Sequence, residues 1–200
     1  IKQHRHKFIN WTGAVFTNLA AEHLEAHGGV EKYRAAKKKL FAAAAKNKES
    51  FGVYNLDDSN VGEFLKYGVK KQFGYYFSTS SKNKNVILFE QSAKGDASRT
   101  LQISNIQLNA NGSEFEINGM KFKTNLLGEF NVYNCAAAVA IGKACGVSLE
   151  ESAKALEKIQ LIPGRLEIIN EGQDFTVVVD LAHTPDSFEQ VFRFFRELRK

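Results

Sequence analysis

The sequence predicts an α/β protein in which a mainly parallel sheet with helices gives way to a small antiparallel meander, followed by the start of a second α/β unit. Three observations carry this. Up to about residue 90, short apolar runs alternate with stretches of helical period, as in successive β-α units. From Leu101 to Leu126 the period drops to two, with Asn111-Gly112 and Asn118-Gly119 as type I′ turn signals between the runs. An alanine-rich helix then leads to Pro163-Gly164, one of only two prolines in the chain, and the strand-then-helix order restarts beyond it.

Composition sets wider bounds. Two hundred residues, 44% hydrophobic, suffice for one substantial core and the start of another. The net charge of +5 invites a nucleic-acid reading, but the lysines are scattered and the aromatics are not interleaved with them as stacking platforms. Cys135 and Cys145 stand ten residues apart on one helix, too far for a disulfide and without a metal-site spacing, so they read as core thiols of a reducing compartment. No apolar run approaches the roughly 18 residues of a membrane span. With no signal peptide visible, the expectation is a cytoplasmic protein, and a chain beginning at Ile1 is expected to be a piece of a longer one.

In chain order, Ile1 to Asn10 is polar and basic, and Ala14 to Phe16 is an apolar strand. Asn18 is a helix cap, Glu22 falls in the first turn, and Gly28 closes the helix in the left-handed position. His23 and His27 lie at i and i+4 on it, but the zinc-protease pattern requires Glu directly after the first His, where this chain has Leu24. Past Gly28-Gly29, Val30, Tyr33, Lys37, Leu40 and Ala44 share one helical face, which puts a lysine on an apolar stripe. Lys38 and Lys39 have the ordinary explanation of a solvated face. Lys37 must be snorkelling, buried or chemically unusual. Burial lowers an amine's pKa, and a neutral amine that captures carbon dioxide becomes a carbamate, an anionic oxygen ligand suited to magnesium.

Gly52 to Asp58 is a strand ending in Asn55-Leu56-Asp57-Asp58, followed by a helix around Asn60 to Tyr67. Lys71 to Ser78 and Asn85 to Glu90 read as further strands, and the meander follows. The alanine-rich helix begins near Gly128 and stops at Gly146. Asn131 and Asn134, three apart in its first turn, share a face. A carboxamide offers donor and acceptor together, as bidentate reading of an adenine edge requires, and helix capping is the competing explanation. A helix from Leu149 to Ile159 precedes Leu161-Ile-Pro-Gly-Arg-Leu-Glu167. Phe175 to Val179 is a buried-type strand ending at Asp180, where open α/β sheets bind ligands. Thr184 caps and Pro185 opens the last helix, whose apolar stripe is Phe188, Val191, Phe192, Phe195 and Leu198.

Six of these stretches together resemble the Mur ligases, the ATP-dependent amino-acid-adding enzymes of peptidoglycan synthesis, and among them the MurE type. They are Gln3-His4-Arg5, Thr17-Asn18-Leu19 with His23, His27-Gly28 and Ala35-Ala36-Lys37, Asn55 to Asp58, Gly128 to Ala137, Pro163-Gly164-Arg165, and Asp180 to Asp186. The resemblance implies that His23 binds magnesium, with Lys37, fourteen residues on, carbamylated as its second ligand and both counted as catalytic. It implies that Gln3, Arg5, Thr17 and Asn18 meet the UDP-N-acetylmuramoyl-peptide substrate, and that Asn131, Asn134, Arg165, Asp180 and His183 lie around ATP. Where MurE-type enzymes have Asp-Tyr-Ala-His, this chain has Leu181 in place of Tyr.

By the same resemblance the fold is an incomplete Mur ligase central ATPase domain over residues 1–163, then the beginning of a Rossmann-like C-terminal domain over 164–200. The implied reaction is attack of the substrate carboxylate on ATP to give an acyl phosphate, from which a free amino acid's amine displaces phosphate. Partners are then the UDP-linked peptide and the amino acid, with no nucleic acid, no membrane insertion and a monomer at full length. The Gly-x-x-x-x-Gly-Lys-Ser/Thr phosphate loop is missing, since Gly142-Lys143 lies in a helix and is followed by Ala144. The family's other metal-binding Glu and its amino-acid-selecting motif are not found either, so the chain alone is expected to be inactive. Folylpolyglutamate and cyanophycin synthetases share the ATP machinery, but Gln3-His4-Arg5 argues against them. A metal- or nucleic-acid-binding module is the alternative from another class.

Overall fold

In the computed structural model, residues 8–19, 29–77, 84–92 and 97–198 are described. Their elements are β1 (Gly13–Phe16), α1 (Val30–Ala44), β2 (Phe51–Asn55), α2 (Gly62–Leu65), β3 (Lys71–Phe77), α3 (Lys84–Ser92), β4 (Thr100–Asn109), β5 (Gly112–Ile117), β6 (Met120–Thr124), α4 (Glu129–Ala144), α5 (Leu149–Glu157), β7 (Glu167–Ile169), β8 (Val177–Val179) and α6 (Pro185–Leu198). One six-stranded sheet runs in chain order β1-β2-β3-β4-β5-β6. Its first four strands are mutually parallel, and β4-β5-β6 are antiparallel. The expected change from parallel to antiparallel therefore occurs within one sheet, at β4.

Alternation along the parallel strands feeds two cores. Val53, Tyr75, Phe77 and Leu101 face α4 and its Val132, Ala136 and Val139. Their neighbours Tyr54 and Tyr76 point the other way, onto a cluster with Phe16, Phe41, Phe64 and Phe89. A sheet covered on both faces needs apolar residues at every position, which is why these strands read as continuous runs. A third, smaller cluster joins Leu127 and Leu166 to Phe194 of α6.

Several expectations change. Asn85 to Glu90 belongs to helix α3, because Val86 and Phe89, three apart, are the residues it buries while Ile87 and Leu88 stay exposed. The two turn signals of the meander differ in outcome. Asn118 and Gly119, at φ 51° and 81°, both take the left-handed region that a type I′ turn demands. In the other hairpin Asn109 pairs with Gly112, so Ala110 and Asn111 form the turn and neither has positive φ. Gly112 sits beyond it at φ 144°, where a Cβ would lie 2.3 Å from the Thr124 carbonyl oxygen.

Helix ends are otherwise legible. Ser148 and Glu151 form a reciprocal capping box at the start of α5. Gly146, at φ 89°, closes α4 with Gly146 N–H bonded to Lys143 O and Val147 N–H to Gly142 O, a Schellman arrangement. Thr184 caps α6 as expected, its hydroxyl accepting from Ser187 N–H. The apolar stripe of that helix is shifted, however: Phe194 is the buried ring, while Phe188 and Phe192 stack on each other in solvent. Val177 and Val179 are also exposed, since the two-stranded β7-β8 sheet is covered on one face only. Cys145 is exposed too, at the C-cap of α4, and only Cys135 is a core thiol.

Candidate functional site

The C-terminal ends of β1 and β2, the start of α4, and the loop from β8 into α6 surround one cavity of about 800 Å³. Such a place, beyond the carboxyl ends of parallel strands, is where open α/β sheets accept ligands. Six residues singled out in the sequence meet in its wall: Thr17, Asn18, Asn134, Arg165, Asp180 and His183.

Each is placed by local structure. Asn131 is 1% exposed, donates to Leu127 O at 2.8 Å and accepts from Asn134 Nδ2 at 3.1 Å. Its carboxamide is therefore turned into the helix start, and Asn134 is the asparagine presented to the cavity. The shared helical face was legible; which amide remained available depended on the carbonyl at Leu127. Arg165 follows Gly164, whose φ of 69° makes the turn and whose N–H is held by the Glu167 carboxylate at 2.9 Å. Leu181 packs over that turn, donating its N–H to Gly164 O at 2.9 Å, with its Cγ 3.3 Å from where a Gly164 Cβ would be.

Leu166, directly after Arg165, is a non-glycine residue at φ 48°, a conformation that costs energy and persists where surroundings enforce it. Two contacts enforce it here. Its side chain is 3% exposed beside Phe194, and its N–H is bonded to Asp180 Oδ2 at 2.9 Å. The other Asp180 oxygen accepts from Ala182 N–H at 2.7 Å. Asp180 thus fixes the Arg165 segment and the β8–α6 loop while lining the cavity. The His183 ring meets Leu181 O through Nδ1 at 2.9 Å, and its backbone N–H reaches Ser187 Oγ at 3.1 Å.

Residues with no role assigned from the sequence complete the wall, among them Tyr75, Glu129, Tyr133 and Arg193, together with Asp186 at the end of its motif. Tyr133 stacks on Phe77 with centroids 3.9 Å apart and donates its hydroxyl to Asp57 Oδ2 at 2.9 Å. Burial first, and then the Asp57 charge, push the phenol's pKa well above its ordinary value. Tyr75 is raised as well, chiefly by burial and then by Asp57 and Asp58. Both rings remain neutral through the physiological range. A tyrosine between two asparagines gives no signal of its own; only the strand end opposite made it part of the site.

The metal pair is not assembled among the described residues. His23 lies outside them, as do Gln3, Arg5 and the helix end expected at His27-Gly28. Lys37 is half-buried on α1, away from the cavity wall, with Nζ 4.8 Å from the centre of the Tyr33 ring. Lys38 corrects its assignment to a solvated face: it pairs with Glu63 at 2.6 Å and is less exposed than that partner. Lys38 and Lys66 together hold the Glu63 carboxyl down at about 2. Among the described residues no three His, Cys, Asp or Glu side chains gather as a metal site, and no helix is long and apolar enough to cross a membrane.

Residues 1–142 match the family described as the Mur ligase middle domain. The chain is 37% identical over 195 residues to the UDP-N-acetylmuramoyl-L-alanyl-D-glutamate–2,6-diaminopimelate ligase of Geobacillus kaustophilus, covering 94% of this chain and 36% of that one. It is 36% identical over 191 residues to the UDP-N-acetylmuramyl-tripeptide synthetase of Borreliella afzelii, covering 94% of this chain and 34% of that one. A solved structure of a UDP-N-acetylmuramoyl-L-alanyl-D-glutamate–2,6-diaminopimelate ligase superposes with a TM-score of 0.72 at 26% identity, over 98% of this chain and 37% of the other. The chain thus spans a little over a third of the length of these relatives.

Proposed function

Because this chain belongs to the Mur ligase family, we propose that the gene product carrying it is an ATP-dependent ligase that joins an amino acid to a UDP-N-acetylmuramoyl peptide. The observation that carries this reading is the convergence of Thr17, Asn18, Asn134, Arg165, Asp180 and His183, drawn from four separated stretches, on one cavity at the strand ends. The relatives at 36–37% identity, both named as ligases or synthetases of this peptide series, support the MurE type over other branches. Residues 1–163 then form the central domain, and 164–200 open the C-terminal one. The cytoplasm is the compartment where such a nucleotide-linked precursor and ATP meet.

The residues present suit a nucleotide. Asn134 offers a carboxamide donor and acceptor to a base, and Arg165 and Arg193 bring cations to the same wall. The first turns of α4 and α6 border the cavity as well, and the positive end of a helix dipole favours anionic oxygens. Bound ATP supplies the phosphoryl group that turns the substrate carboxylate into an acyl donor. Asn134 and Arg165 orient the nucleotide, Thr17 and Asn18 face the UDP-linked substrate, and Asp180 keeps the Arg165 turn in place. A magnesium site formed by His23 and a carbamylated Lys37 belongs to the proposal but has only Lys37 among the described residues, so no step is assigned to it.

The test is phosphate release by the purified gene product with ATP, magnesium, UDP-N-acetylmuramoyl-dipeptide and candidate amino acids. The expected result is release that requires both the UDP-linked peptide and one amino acid. ATP hydrolysis indifferent to the UDP-linked peptide, or turnover with a folate or peptide substrate in its place, would overturn the assignment.

A further inference from the structure

Asn55-Leu56-Asp57-Asp58 is consistent with an ordinary turn at the end of β2, and nothing in the proposed reaction uses it. Its hydrogen bonds describe something more specific. Asn55 Nδ2 donates to Thr17 O at 2.8 Å, and Leu19 N–H donates to Asp58 Oδ2 at 2.8 Å. These two bonds bracket Asn18 and fix the backbone on either side of it, while Thr17 and Asn18 stay exposed in the cavity wall. Asp57 serves the opposite side, where its Oδ2 accepts both Phe77 N–H and the Tyr133 hydroxyl at 2.9 Å. One four-residue turn thereby holds the end of β1, the end of β3 and the start of α4.

Behind Asp58 the connection continues. Its Oδ1 accepts from Asn60 N–H at 2.7 Å and from Asn60 Nδ2 at 3.1 Å. Asn60 Oδ1 in turn accepts from the Arg34 guanidinium at 3.0 Å. Arg34 sits on α1, three residues before Lys37 and so on the same side of the helix. A carboxylate receiving three N–H groups cannot turn without breaking at least one, so it transmits position between the elements it joins.

We propose that the Asn55–Asp58 turn is a positioning hub, in which the Asp58 carboxylate sets the Thr17-Asn18-Leu19 segment in the cavity and ties it through Asn60 and Arg34 to the helix carrying Lys37. This rests on the functional reading above for which ligand Thr17 and Asn18 meet. None of the hub residues needs to touch the reacting atoms. Asp58 acts through the backbone it holds, and misplacing a binding segment by about 1 Å costs on the order of 100-fold in turnover.

The experiment compares Asp58→Asn with wild type in the gene product carrying this chain. Asparagine keeps the volume but must turn a donor toward either Leu19 N–H or Asn60. Steady-state kinetics with ATP, magnesium, UDP-N-acetylmuramoyl-dipeptide and the amino acid are expected to show the KM for the UDP-linked substrate raised roughly tenfold or more, with the KM for ATP within about twofold. Hydrogen exchange by mass spectrometry is expected to show faster exchange in the peptide that contains Leu19. If Asp58→Asn does not fold, Asn60→Ala, which leaves the carboxylate in place and removes its side-chain donor and the link to Arg34, is read for the same split. Both KM values rising in proportion, or neither changing, overturns the proposal. If the wild type turns out not to use the UDP-linked substrate, the functional reading fails on its own, and the hub is judged by exchange: unchanged protection at Leu19 overturns it and lost protection upholds it.

Discussion

Replacing Tyr133 by Phe removes one oxygen and leaves the ring stacked on Phe77, so the change isolates the bond between the Tyr133 hydroxyl and Asp57 Oδ2. A hydrogen bond to a charged group contributes about 1.5–3 kcal/mol. Asp57 has little to fall back on: Oδ2 keeps only Phe77 N–H, and Oδ1 is already buried without a hydrogen-bond partner. We therefore expect Tyr133→Phe to destabilise the chain by about 2 kcal/mol, a loss of about 4–8 °C in Tm for a chain of this size. Urea titration followed by circular dichroism measures it directly. The same variant carries a signature at high pH. The folded-state pKa of Tyr133 lies above its unfolded value of 10.0, so the stability linked to that proton is complete below about pH 10 and is lost as pH rises through the folded value. Wild-type stability falls above pH 10, and that of Tyr133→Phe falls less steeply, by up to one proton. A change below about 0.5 kcal/mol with an identical alkaline slope would refute the view that this bond secures α4 to the strand ends.

Other expectations can be checked alongside. Gly112→Ala is expected to cost at least about 1–3 kcal/mol, because it adds strain at φ 144° to a 2.3 Å approach to Thr124 O; unchanged urea midpoints would contradict the turn geometry. Ser148→Ala breaks the capping box of α5 and is expected to cost about 1 kcal/mol by the same measurement. Iodoacetamide at pH 8 is expected to label Cys145 alone, since burial pushes the Cys135 thiol up to about 11; two labels on the native chain would contradict that, and two are expected in urea. For the proposed carbamate, Lys37→Ala in the gene product is expected to abolish ligation and to regain some of it with a small added carboxylate. Full activity of the variant at saturating magnesium would end that idea.

The strands expected over Gly52 to Asp58 and Lys71 to Ser78 correspond to Phe51–Asn55 and Lys71–Phe77, legible because a doubly covered sheet demands apolar residues on both faces. Asn85 to Glu90 failed by the same rule, since a short apolar run looks alike in a buried strand and in a helix that buries Val86 and Phe89. The cavity residues were legible as types at element ends, where caps and turns leave polar side chains near strand termini. Their division of labour was not. Asn131 and Asn134 look equivalent in sequence, and only the Leu127 carbonyl decided which one faces the cavity.

The sequence by itself determined the period of each element, the ends marked by Thr184, Gly146 and Asn118-Gly119, and the membership of the chain in its family. These depend on propensity and on neighbours within a few residues. Tertiary structure alone decided that Asp57 and Asp58 serve opposite walls of one site, that Tyr133 joins β2 to α4 across 76 residues of sequence, and that Phe194 rather than Phe188 or Phe192 is the ring α6 buries. A carboxylate at a strand end reads the same whether its partners are solvent or two other segments. Its partners are fixed by which strands the sheet places side by side, and that order is a property of the whole chain.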